Sequence, residues 1–125
     1  MAIEYIAECN PLTRNLPRSL ATKGGDLVFV SGQVARNEDG SLVTGDIEAQ
    51  TRRTLQNVAH VLALAGCTLD DVVKTTVWLE DARDFAAFNR VYAEFFPGNK
   101  PSRSTLQATN MAGTKIEIEA IACRP

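Results

Sequence analysis

The sequence predicts an α+β fold, a sheet with two helices packed on one of its faces. Three observations predict it. Short β-branched runs and two amphipathic helical stripes follow one another in the order ββ(β)αβαββ. Turn signals punctuate them at intervals that suit a single domain over residues 1–125. Two of the strands are apolar on both sides, which two helices on one face cannot cover.

Each element has its own signal. Ile3 to Ala7 is short and β-leaning, and the polar, proline-containing stretch from Asn10 to Pro17 reads as loop. Ser19 to Thr22 forms a second short strand, turned by Gly24-Gly25-Asp26 into the clearest early strand, Leu27 to Gln33. After the Asn37-Glu38-Asp39-Gly40 turn, Asp46 N-caps a helix from Ile47 to about Ala65. Its apolar face carries Thr51, Leu55, Val58, Ala59 and Leu62, and Gly66 stops it. Val72 to Leu79 is a buried strand. Phe85, Phe88, Tyr92 and Phe96 form the stripe of a second helix, capped by Asp84 and ended by Pro97-Gly98. Ser104 to Ala108 and, after a Gly113 turn, Lys115 to Cys123 return to β structure. In the last strand Ile116, Ile118, Ala120 and Ala122 alternate with Lys115, Glu117, Glu119 and Ile121, so both glutamates project from the same face.

Leu27 to Val30 are apolar on both faces of their strand, as are Val72, Val73, Val77 and Trp78. The face that the helices leave open should therefore meet a partner subunit, and closed cyclic symmetry is the usual solution.

Composition bounds the function. With 45% hydrophobic and 22% charged residues the chain is an ordinary globular protein, and no apolar run is long enough to cross a bilayer. The start Met1-Ala2-Ile3-Glu4 lacks a signal-peptide pattern, which predicts a cytoplasmic protein without a membrane partner. Cys9, Cys67 and Cys123 are widely spaced and read as reduced thiols in the core. A net charge of −2 and a pI near 5.4 oppose nucleic acid as a partner. His60 is the one histidine and faces away from the apolar side of its helix, so it reads as a solvated residue, and no multi-histidine metal site is possible. Nucleophile elbow, phosphate loop and dinucleotide fingerprint are absent, and Trp78 with the Phe stripe reads as core.

What remains is Arg103, in Pro101-Ser102-Arg103-Ser104-Thr105 just before a strand. A guanidinium matches a carboxylate in bidentate fashion, each charge-assisted bond being worth roughly 1.5–3 kcal/mol. Most arginines at strand ends are solvated or ion-paired, so the residue alone does not decide the matter.

The ordered set of motifs does more. Val30-Ser31-Gly32-Gln33-Val34, Gln50 to Asn57, Ala65-Gly66 with Val72 to Val77, Asp84-Phe85 through Asn89 and Tyr92 to Phe96, Pro101-Ser102-Arg103-Ser104, and Ile116 to Ala122 together resemble the RidA/YjgF family over nearly the whole chain. The resemblance implies a chorismate-mutase-like fold, a homotrimer, and ligand clefts between subunits. It implies cofactor-independent hydrolysis of enamines and imines, of the 2-aminoacrylate type or longer carboxylated ones, to a keto acid and ammonia, with no metal. By the same resemblance Arg103 binds the substrate carboxylate and Glu117 places or activates the attacking water, although Glu119 has the same facing. Ser31 and Gly32 form the pocket wall, and Thr105, Arg18 and Asn89 complete the substrate-binding set. Two positions depart from the family pattern. Arg18 stands in Pro17-Arg18-Ser19 where relatives commonly have Tyr, and Thr105 stands where many have Cys. Arg18 either selects a second carboxylate, as in an aminomuconate-like substrate, or pairs with a surface acid. Two alternatives to the deaminase stay open, a non-catalytic binder of small carboxylates such as keto acids and, against the acidic pI, a ribonuclease.

Overall fold

The computed structural model describes residues 2–125. Six strands form one mixed sheet in the order β1-β2-β3-β6-β4-β5: β1 Glu4–Ile6, β2 Ala21–Gly24, β3 Leu27–Val34, β4 Val72–Leu79, β5 Ser102–Gln107 and β6 Ile116–Cys123. Neighbours pair antiparallel except β4 and β5, which are parallel and therefore need a crossover. That crossover is α2, Phe85–Phe95. The longer helix α1, Ile47–Leu64, lies across β3 and β6 and packs beside α2. No helix among the described residues is long and apolar enough to cross a membrane.

The boundaries of α1 follow the sequence. Asp46 accepts a hydrogen bond from the Ala49 N–H at 2.9 Å, a cap worth about 1 kcal/mol. Gly66 at φ +79° closes the other end, with the Cys67 N–H donating back to the Leu62 carbonyl. Thr51, Leu55, Val58 and Leu62 are fully buried against Val28, Ile118 and Ala120 of the sheet, among others in one core cluster. Two polar side chains fix the helix to the strand ends. Gln50 donates to the Gly45 carbonyl and accepts from the Lys115 N–H, and Asn57 donates to the carbonyls of Val34 and Arg36 at 3.0 and 2.8 Å.

Four local expectations change. Asp84 makes no side-chain cap to α2; Asp81 instead accepts from the Arg83 N–H and caps the 3-10 turn Ala82–Asp84 that leads into the helix. β5 begins at Ser102, drawn two residues earlier by its parallel ladder to β4, so Arg103 lies within the strand. β2 begins at Ala21, and the Ser19 carbonyl ahead of it accepts from the Ser31 hydroxyl. Cys9 is exposed on the N-terminal segment, whereas Cys67 is buried in the core.

The sheet face away from the helices carries apolar side chains with nothing over them. Leu27 is 40%, Phe29 42% and Leu106 50% exposed, and Trp78 is half-buried on the same side rather than in the core.

Candidate active site

Register decides which of the candidate residues can meet. Side chains directly opposite one another across a ladder share a sheet face. Arg103 lies opposite Thr75, and Thr105 opposite Val77. Thr75 and Val77 are buried beneath the helices, so Arg103 and Thr105 project to the helix side. Glu117 lies opposite Val34 and Trp78, and Glu119 opposite Thr76, in alternation with the buried Ile116, Ile118 and Ala120. Both glutamates therefore project to the open side. Within one chain the arginine and the carboxylate stand on opposite faces.

On the helix side the guanidinium rests on aromatic rings. Arg103 Cζ lies 4.8 Å from the Tyr92 ring centroid, 5.1 Å from that of Phe88 and 5.7 Å from that of Phe85. The stripe read from sequence as core is thus also a platform for a cation, with each such contact worth about 0.5–2 kcal/mol according to its exposure. The Tyr92 and Thr75 hydroxyls are hydrogen-bonded at 2.7 Å, which fixes the innermost ring. Burial raises the Tyr92 pKa against the opposing effects of that hydrogen bond and of the Arg103 charge, so the phenol is neutral at physiological pH. Arg103 is half-buried and has no carboxylate partner among the described residues. Asn89 is half-buried on α2, four residues after Phe85 and three before Tyr92, on the flank of the ring-bearing side. Thr105 lines a cavity of about 230 Å³ with Leu79, Ala82, Phe85, Leu106 and Gln107, and its hydroxyl is buried without a hydrogen-bond partner.

On the open side the site is built around a β-bulge. The register of β3 against β6 shifts between Val30 and Gln33, leaving Ser31 and Gly32 outside the regular ladder. Asn57 pins the chain just beyond it. Gly32 lies under the Glu117 side chain. A Cβ there would stand 3.0 Å from Glu117 Cδ and 3.3 Å from Cγ, and would collide with Oε2. Burial first, and the nearby Glu119 charge second, raise the Glu117 pKa above its ordinary value. Such a carboxylate is a better proton acceptor near neutrality than a solvated one. The Ser31 hydroxyl donates to the Ser19 carbonyl at 2.6 Å, beside Arg18. Arg18 itself pairs with Glu8 at 3.4 Å. Burial works to raise the Glu8 pKa, but the hydrogen bond from the Asn10 N–H and the Arg18 charge help to outweigh it and hold the carboxyl below its ordinary value.

A larger groove of about 930 Å³ between α1 and the N-terminal segment includes none of the seven candidate residues. His60 is exposed on its wall. Among the described residues no group of three His, Cys, Asp or Glu is placed to hold a metal ion.

Comparison with known proteins covers nearly the whole chain. The family described as Endoribonuclease L-PSP matches residues 13–124. A RutC family protein of Pyrococcus horikoshii is 44% identical over 108 residues, which span 85% of this chain and 86% of the relative. The 2-iminobutanoate/2-iminopropanoate deaminase of Homo sapiens is 37% identical over 108 residues, 85% of this chain and 79% of that protein. Among solved structures the YjgF gene product of E. coli superposes with a TM-score of 0.89 at 35% identity, over 98% of this chain and 99% of the other.

Proposed function

The chain belongs to the endoribonuclease L-PSP family, the RidA/YjgF group, and from that premise we propose that it hydrolyses imines and enamines of 2-amino acids to keto acids and ammonia. The observation that carries the reading is Arg103, a half-buried guanidinium held against three rings with no anion of its own. Such a group is prepared for a ligand carboxylate, which it takes in bidentate fashion. The human deaminase in the family acts, by its name, on such imines.

The chemistry asks little of the protein. The carbon of an imine is already electrophilic, so a water must be aimed at it and two protons moved. Glu117 takes a proton from the water as its oxygen bonds to that carbon. The imine nitrogen takes up a proton as the C=N π bond opens to the carbinolamine. A second proton on that nitrogen lets it leave as ammonia, while the carbinolamine hydroxyl gives up its proton and the C=O bond of the keto acid forms as the C–N bond breaks. Holding the carboxylate on Arg103 supplies the orientation beforehand.

Because Arg103 and Glu117 project from opposite faces, a complete site needs two copies of the chain. The exposed Leu27, Phe29 and Leu106 on the open face supply the apolar surface for that contact, and the homotrimer implied by the family resemblance closes it. A keto-acid binder would use Arg103 without Glu117, and the separation of the two residues within one chain fits it as well. A coupled ammonia-release assay separates the two readings. Arg103→Ala should lose at least about 100-fold in kcat/KM. Wild-type protein that binds 2-ketobutyrate without accelerating imine hydrolysis would establish the binder instead.

A further inference from the structure

The Arg103 platform runs on into a recess that carries no charge. Its walls are Leu79, Ala82, Phe85, Thr105, Leu106 and Gln107, around about 230 Å³. Two of these residues tie it to the guanidinium. Phe85 is both a wall of the recess and the outermost ring of the stack, 5.7 Å from Arg103 Cζ. Thr105 follows Arg103 by two residues on the same side of β5, roughly 7 Å along the strand. A 2-imino acid has three substituents on its reactive carbon: the carboxylate, the nitrogen and the side chain. With the carboxylate on Arg103, a side chain directed along β5 enters this recess.

We infer that the recess holds the substrate side chain, and that this chain selects 2-imino monocarboxylates with an uncharged, apolar side chain of several carbons over both the smallest imines and dicarboxylates. The inference rests on the deaminase reading and narrows it. A methyl group would leave most of the space beside Leu79 and Phe85 unfilled by carbon, the equivalent of several water volumes. Phe85, 45% exposed, offers carbon surface that a longer side chain would cover. A second carboxylate would find no cation among these walls. The other arginine of the candidate set, Arg18, is on the N-terminal segment and already holds Glu8.

One methylene in an apolar pocket changes kcat/KM by roughly 10- to 200-fold, so the effect is measurable. Imines generated in situ from alanine, leucine, phenylalanine and glutamate by an amino-acid oxidase would be compared as substrates of the full chain, with ammonia release as the readout. The leucine- and phenylalanine-derived imines should exceed the alanine-derived one at least about 10-fold in kcat/KM, with the glutamate-derived one lowest. Ala82→Leu, a substitution on the exposed turn at the mouth of the recess, should cut the leucine-to-alanine preference about 10-fold. Hydrolysis that is fastest for alanine, or equal for glutamate and leucine, overturns the inference while the deaminase reading stands. An unchanged preference in a folded Ala82→Leu protein overturns it too. Hydrolysis of none of the four removes the deaminase reading, and this inference with it.

Discussion

Gly32→Ala separates the position of the Glu117 carboxylate from the stability of the fold. The added methyl would collide with Glu117 Oε2 and stand 3.0 Å from Cδ and 3.3 Å from Cγ, closer than neighbouring carbons tolerate. What must yield is the end of a flexible side chain, not backbone. Gly32 is also not among the glycines at positive φ, which are Gly25, Gly40, Gly66 and Gly113. Alanine can therefore adopt the native backbone at Gly32, and the loss of unfolded-chain entropy contributes about 0.4–1 kcal/mol in favour of folding, offsetting the crowding. The melting temperature should move by only a few degrees. Catalysis should not escape so lightly. The carboxylate has to swing away by an ångström or more, and a displacement of that size costs about 100-fold in rate. Differential scanning fluorimetry and steady-state ammonia release on one preparation test both halves. A folded Gly32→Ala protein with kcat within about threefold of wild type would refute the role given to Glu117, since a general base contributes about 10²–10⁴-fold.

Other outcomes follow from the same geometry. Tyr92→Phe leaves the buried Thr75 hydroxyl unpaired and should cost about 1–3 kcal/mol in urea unfolding, with most of it recovered in Tyr92→Phe/Thr75→Val; a double variant no more stable than the single one would count against the pair. The acid limb of the kcat/KM profile should lie above 4.5, because Glu117 must be deprotonated to act and its pKa is raised. Glu119→Gln, which removes one of the two causes, should move that limb down, and a limb at or below 4.5 in wild type would argue for another base. The same shift means that the folded chain holds the Glu117 proton more tightly than the unfolded one, so this group's contribution to stability falls as pH rises from 4.5 through the raised value. Phe29→Arg places a charge on the open apolar face and should give monomers in size-exclusion chromatography with light scattering, with activity lost in parallel; an intact oligomer would move the interface elsewhere.

Local signals carried most of the fold into the sequence. Asp46 and Gly66 bracket α1 because a cap and a left-handed stop act within a few residues. The alternation of β6 shows its buried side, because the side-chain period of a strand is two. β4 could be read to the residue from its run of valines and threonines. The face of Arg103 was not legible, because it depends on β6 inserting between β3 and β4 and on the parallel register of β5, pairings between residues far apart in the chain. For the same reason the Phe85-Phe88-Tyr92 stripe read as core alone, since helical spacing shows that a face is covered and not by what. Asp84 reads as the cap of α2 in the sequence because the 3-10 turn capped by Asp81, which leads into the helix, leaves no mark in the composition.

That a guanidinium and a carboxylate leave opposite sides of one sheet has a genetic consequence. Under the proposed assembly, a subunit lacking the arginine and another lacking the acid each spoil a different half of any pocket they share. When the two kinds mix at random in one trimer, about a quarter of the pockets draw both halves from intact positions. Two dead alleles expressed together would then recover measurable turnover, which neither shows alone.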